Sequence, residues 1–387
     1  SGMVAGGKFV ESTFGPESFY AQGISINYLT GMLVVAGITV LYTLFGGFLG
    51  ASLTDVAQGV LMFLSLLAVP IVVILTMGGW DAVVEGIRAA DAAGGGVNHF
   101  SMFENATLIG VLSSLAWGLG YFGQPHIVTR FMALRSPSEA KSARRTGTIW
   151  VAICYIGAIF TALVATVYFG QKSASVTDQT GFETIFLDLA RIMFHPLIAG
   201  IVLTAVLAAI MSTMSSQLLV TSSALIEDIY RIFKKNPNNT TLLVLSRAMV
   251  IGIALIGMLL ALNPSDTILG LVGFAWAGFG AAFGPVVVAS LYWKRLTSQG
   301  AIAGMIVGAV TSFVWGSVDA LSGMIYEIVP GVILATLAMV VVSLATRPKE
   351  GVEEEFDTAA AATDYALAHP DEDFAAALRN RGGSTAV

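Results

Sequence analysis

Apolar runs of bilayer-spanning length recur about nine times in the first 345 residues, and they leave little room for any fold but a bundle of membrane helices. A hydrocarbon layer offers the backbone no hydrogen-bonding partner, so a chain that crosses it repeatedly must close its own N–H···O=C bonds, as helices do. With a window of roughly 19 residues the runs fall at 26–45, 56–77, 106–130, 150–170, 197–226, 241–262, 268–293, 301–318 and 324–345. The run at 197–226 is longer than a bilayer needs, so it is expected to tilt or to project beyond the membrane. Residues 183–194, just before it, form an amphipathic lead-in suited to the interface. Composition agrees with this class. Charged residues make up 11% of the chain against 56% apolar, with a mean hydropathy of +0.80, whereas a soluble domain carries about a quarter charged residues.

The loops set an orientation. Arg130, Arg135, Lys141, Arg144 and Arg145 crowd the segment after the third run; Arg231, Lys234 and Lys235 follow the fifth, Lys294 and Arg295 the seventh, Arg347 and Lys349 the ninth. The intervening loops are poor in basic residues: 81–104 is acidic, and 263–266 holds no Lys or Arg. Basic loops stay in the cytoplasm, so the chain is expected to start outside and to end inside. Residues 347–387 then form a cytoplasmic tail, acidic and rich in alanine around Glu353, Glu354 and Glu355, that makes a weak helix or none. The net charge of −6 belongs mostly to this tail and says nothing of nucleic acid. Cys154, the only cysteine, lies in an apolar run and reads as an inert buried thiol. No signal-peptide pattern opens the chain, and residues 2–14 read as the end of a helix, so the sequence is expected to lack its first helices.

Three stretches carry candidate chemistry. In the third run, residues 116–126 read AWGLGYFGQPH. Gly118, Gly120 and Gly123 match the spacing of a dinucleotide fingerprint, but that motif needs a preceding strand, and this one lies in a membrane span. Three glycines and Pro125 within eight residues make a helix easy to kink or unwind. Trp117, Tyr121 and Pro125 share a face while the segment stays helical, offering an apolar wall, a hydroxyl, an N–H and faces for a cation. A glycine-lined packing site with interfacial aromatics fits the same spacing. In the fifth run, Ser212 and Thr213 can present hydroxyl oxygens beside the Ala209 carbonyl, a set that suits an alkali cation. The bland reading is that such hydroxyls bond back to the i−4 carbonyl or join helices. Between the first two runs, Asp55 follows three glycines; an intramembrane carboxylate is costly and usually functional, while an aspartate at the start of a span can simply cap its helix. The glycine-rich stretch 270–284, with Trp276 inside it, suggests close helix packing. Glu227 and Asp228 read as a solvated helix end. Hydrolase, P-loop and zinc patterns are missing, so neither an enzyme nor a cofactor beyond a coupling ion is expected.

Residues 46–58 (GGFLGASLTDVAQ), 116–131 (AWGLGYFGQPHIVTRF), 208–228 (AAIMSTMSSQLLVTSSALIED) and 271–288 (LVGFAWAGFGAAFGPVVV) resemble the sodium/solute symporter family, in particular its proline-carrying members. The similarity runs from Gly2 to about Ala345. It implies an all-α integral membrane protein with the LeuT-type fold of two inverted repeats, residues 1–346 being spans five to thirteen of a thirteen-helix carrier. It further implies sodium-coupled uptake of L-proline across the inner membrane. Trp117, Tyr121 and Pro125 would contact the substrate, Ala209, Ser212 and Thr213 would hold Na+, and Asp55 would lie on the ion's way to the cytoplasm. A carrier of another amino acid, a sugar or a vitamin, a symporter-like sensor domain, and a membrane scaffold are the competing readings.

Overall fold

The computed structural model describes residues 1–15, 26–93, 98–101, 103–104, 106–171, 179–234, 238–264 and 267–369, and every regular element among them is helical. In chain order these are α1 (Gly2–Phe14), α2 (Tyr28–Thr76), α3 (Trp80–Ala93), α4 (Leu108–Ala116), a 3₁₀ segment (Trp117–Gly123), α5 (Pro125–Met132), α6 (Pro137–Gln171), α7 (Gln179–Met193) and α8 (Pro196–Ser223). A π-turn (Ala224–Tyr230) and α9 (Arg231–Phe233) extend α8, and α10 (Asn239–Leu260), α11 (Ile268–Tyr292), α12 (Ser298–Ser317), α13 (Asp319–Ser322), α14 (Ile328–Ala345) and α15 (Val352–Ala368) follow. Lys235, Asp266 and the tail beyond His369, used above to orient the chain, lie outside the described residues.

Among the described residues seven helices are long and apolar enough to cross a membrane, and the difference from about nine has two causes. The expected linker between the first two runs is helical, so both belong to α2, which breaks only at Gly47 (φ 55°, ψ −153°). That backbone region is open essentially to glycine alone, so the break is written into the residue. The third run is the second cause: it does not make one helix but α4, the 3₁₀ segment and α5 in succession. Two further expectations need correcting. Asp55 is no cap, because it lies about two turns into the second half of α2. Within the acidic 81–104 stretch, residues 81–93 belong to the helix α3. The amphipathic lead-in is found as α7, and the start of the tail does form a helix, α15.

Side chains set several starts. Asn27, Thr107, Asn238 and Thr297 accept bonds from the otherwise unpaired N–H groups that open α2, α4, α10 and α12. Large apolar residues face outward, with Phe45 and Leu260 each 79% exposed. A water-soluble surface would not tolerate so many; lipid does.

The chain divides into two compact units. Residues 1–105 and 150–271 form the first, where α8 packs on α2 and α10, and α1 packs on α2. Its buried cluster joins Val69 and Val73 of α2, Val83 and Ile87 of α3, Val164 of α6 and Leu189 of α7. Gly157 lets α6 approach α2, since a Cβ there would lie 2.6 Å from the Leu66 carbonyl oxygen. Residues 106–149 and 272–387 form the second unit. There Gly300, Gly304 and Gly308 face the neighbours of α12; a Cβ on Gly300 would fall 1.9 Å from Ser343 Oγ, and one on Gly308 2.3 Å from the Ala281 carbonyl oxygen. Small residues at every fourth position let helices pack by direct contact where lipid provides no hydrophobic drive.

Candidate transport sites

In the second unit the broken span is held by aromatic rings. Residues 117–123 wind as a 3₁₀ helix, and Pro125, lacking an N–H, opens α5 at its first turn. The common face expected for Trp117, Tyr121 and Pro125 assumed 3.6 residues per turn, which a 3₁₀ segment does not have. A different device brings two of the three together. Trp117 stacks on Trp276 of α11 (centroids 5.3 Å apart, planes 13° apart), and Tyr121 meets the same indole edge-on at 4.8 Å. Tyr326 also stacks on Trp117 at 6.1 Å, while its hydroxyl donates to the Gly273 carbonyl at 2.7 Å. The backbone N–H of Tyr326 donates to Ser113 on α4. Trp117 is therefore half-buried among rings, while Tyr121 is 39% exposed and is the more open of the pair.

The two readings of the glycines divide by position. A Cβ on Gly120 would lie 1.9 Å from Trp276 Nε1, and one on Gly123 would lie 2.4 Å from the Phe279 carbonyl oxygen, so both serve close packing on α11. A Cβ on Gly118 would meet open space, so packing does not require that glycine.

In the first unit the site is built from side chains on the unbroken α8 and on the two halves of α2. Ser212 of α8 donates to Asp55 Oδ1 of α2 at 2.6 Å, and its own carbonyl accepts the hydroxyls of Ser215 and Ser216 at 3.0 and 2.9 Å. Tyr42 of α2 donates to the neighbouring Met211 carbonyl at 2.9 Å. Thr213 bonds back to the Ala209 carbonyl at 3.1 Å, which is the bland behaviour of a helix threonine, and its side chain lies on an exposed face. Of the three residues expected to hold Na+, Thr213 contacts Ala209, while Ser212 bonds to Asp55, the residue expected on the ion's path. Ala209 also lines a cavity of about 1030 Å³ whose wall includes Ser65, Cys154 and Thr161 and the ion-paired Lys8 and Glu183.

The match to known families follows the same stretches. Residues 1–308 fit the model of the sodium:solute symporter family. The chain belongs to that family. Among curated symporters, the high-affinity proline transporter PutP of Bacillus subtilis is 45% identical over 359 residues, 92% of this chain and 72% of the relative. The osmoregulated proline transporter OpuE of Bacillus subtilis is 46% identical over 90% of this chain and 67% of its own length, and the sodium/proline symporter of Escherichia coli 42% identical over 92% and 68%. A solved Na+-coupled sialic acid symporter, in a substrate-bound outward-open state, superposes with a TM-score of 0.71 at 20% identity, covering 90% of this chain and 72% of that one. The chain shares the fold of that symporter, as the family resemblance implies.

Several members of these candidate sites carry no signal in the sequence. Tyr42 and Tyr326 show no local signal, since each acts on a carbonyl 169 or 53 residues away in the chain. Lys8 and Glu183 show none either; their ion pair (2.6 Å) ties α1 to α7, and Glu183 Oε1 accepts the Ile268 N–H that opens α11. A carboxylate at a helix N-terminus is favoured by the helix dipole, but that preference does not reveal which helix it will meet.

Proposed function

We infer that the protein is a sodium-coupled symporter of L-proline working by alternating access. The observation that carries this is the naming of its relatives: proteins 40–46% identical over about nine tenths of the chain are proline transporters or sodium/proline symporters. Proline brings a carboxylate, a charged secondary amine and an apolar ring. Tyr121 presents an exposed ring and hydroxyl to such a ligand, the edge of Trp117 borders it, and Pro125 closes the break. A broken helix suits this task because its freed backbone groups are tolerated only where they face protein or a cavity. On this reading the aromatic segment receives the substrate. The hydroxyls of Ser212 and Thr213 with the Ala209 carbonyl receive Na+, and Asp55, already hydrogen-bonded to Ser212, draws the ion toward its exit. Sodium is the coupling ion; the reading needs no other cofactor and no enzymatic step.

One positive charge moving inward releases about 2.3 kcal/mol per 100 mV of membrane potential, so a single sodium is sufficient for useful accumulation. Coupling is the extra stability that bound sodium lends to the state whose substrate site is formed, and it is reciprocal: bound proline must tighten sodium by the same factor. The distribution of basic loops supports the further reading that residues 1–346 span the plasma membrane with the first residue outside and the tail from 347 in the cytoplasm.

Uptake into proteoliposomes under an imposed sodium gradient tests the function. Labelled proline is expected to enter saturably and only with sodium, ahead of a panel of other amino acids, sugars and vitamins. Sodium-dependent entry of a different solute, with none for proline, would replace the substrate. Uptake without sodium would end the symport reading.

A further inference from the structure

One side chain outside the three candidate stretches touches the unwound segment along its whole length. The Trp276 Nε1–H donates to the Trp117 carbonyl at 2.9 Å. Its ring stacks on Trp117 and receives Tyr121 edge-on, and it occupies the space that a Cβ on Gly120 would need. Its own carbonyl accepts the Gln124 amide at 3.2 Å, just where the segment turns into α5, and Gln124 is only 3% exposed. Residues 117, 120 and 121 are thus referenced to one indole, and residue 124 to the backbone of the same tryptophan.

A 3₁₀ segment needs such a reference. Its hydrogen bonds are poorer than those of an α-helix, and runs beyond three or four residues are uncommon. Seven residues stay in this form here, including three glycines that add little stiffness. The indole supplies a hydrogen bond from outside the segment and two aromatic contacts, and rings at these separations attract beyond simple burial.

We propose that Trp276 is a positioning residue of the substrate site, holding the Trp117 and Tyr121 rings and the 3₁₀ backbone between them in the arrangement that receives the ligand. The proposal rests on the reading of Trp117 and Tyr121 as substrate contacts. Trp276 acts through these two residues: it lowers the cost of ordering the site when substrate arrives, which is how preorganisation raises affinity.

The test is proline uptake by the complete transporter in proteoliposomes, corrected for the amount inserted, with KM and kcat read separately. Trp276→Phe keeps a ring that can stack and removes the N–H donor. The proline KM is expected to rise about five- to tenfold with kcat within about twofold, and the half-saturating sodium at saturating proline is expected to stay put. Gly120→Ala pushes the same indole away from the other partner and is expected to raise KM as well, which keeps the proposal testable should Trp276→Phe insert poorly. A wild-type KM in both variants, or a lower kcat at unchanged KM, overturns it, since a mere packing strut would affect the amount and turnover of protein and leave substrate affinity alone. Trp117→Ala and Tyr121→Ala separate the two levels of inference. If they raise KM while Trp276→Phe and Gly120→Ala do not, only the role of Trp276 falls. If they leave KM unchanged as well, the substrate-site reading falls and takes this proposal with it.

Discussion

The two candidate sites are made in opposite ways. In the unit built from residues 106–149 and 272–387, the backbone gives up its α-helix for seven residues, and the rings of Trp276 on α11 and of Tyr326, just before α14, hold the result. In the unit built from residues 1–105 and 150–271, α8 remains intact through 208–217, and its hydroxyls bond either across to α2, as Ser212 does, or to α8's own carbonyls, as Thr213, Ser215 and Ser216 do. On the proposed function, the difference follows the chemistry of the two ligands. A substrate that combines a carboxylate, an amine and a ring needs shape as well as polar groups, and a broken helix with aromatic walls supplies both. A bare cation asks only for oxygens at short range, which hydroxyls and carbonyls on a regular helix can offer. One site therefore depends on close packing, the other on individual hydrogen bonds.

That contrast can be broken by substitution, and the aromatic site should show the largest effect. Gly120→Ala drives a methyl into a stacked indole; overpacking costs about 3 kcal/mol at its upper range, and proline uptake at low substrate is expected to fall about a hundredfold. Next comes Ser212→Ala, which strips Asp55 of a short charge-assisted bond worth about 2 kcal/mol. Half-saturating sodium is expected to rise roughly thirtyfold, with the proline KM at saturating sodium nearly unchanged. Thr213→Val removes a hydroxyl that bonds within its own helix, so the shift in half-saturating sodium is expected to be about threefold or less. Removing Ser212 and Thr213 hydroxyls together must raise the sodium requirement; an unchanged requirement defeats the sodium assignment. Gly118→Ala should do least of all: the new methyl meets open space, and uptake within about twofold of wild type would separate the packed glycine from the permissive one. Equal damage from Gly118→Ala and Gly120→Ala would mean that flexibility, not packing on Trp276, is what this segment needs.

Much of this molecule can be read from residues in order, because the bilayer imposes a strict local rule. A run of about twenty apolar residues announces a span wherever it occurs. Glycines and a proline at 118–125 announce a span that will not stay helical. The glycines at 300, 304 and 308 are a contrary case: their use shows only once α14 lies against the first two and α11 against the third. Even the break at Gly47 is local, yet the apolar pattern predicts two separate spans there, since a single positive-φ glycine leaves the same trace in a sequence as a short turn.

What the sequence by itself determined was the class of fold, the spacing of its spans and the places where a helix must give way, all consequences of hydrophobicity and backbone freedom over a few neighbouring residues. Tertiary structure alone decided the partners. Ser212 reaches Asp55 across 157 residues, and Trp276 reaches the Trp117 carbonyl across 159. Nothing in the local pattern distinguishes Ser212, which bonds to another helix, from Thr213, which bonds to its own. The choice follows from which face of α8 is turned toward α2, and that is set by the packing of whole helices.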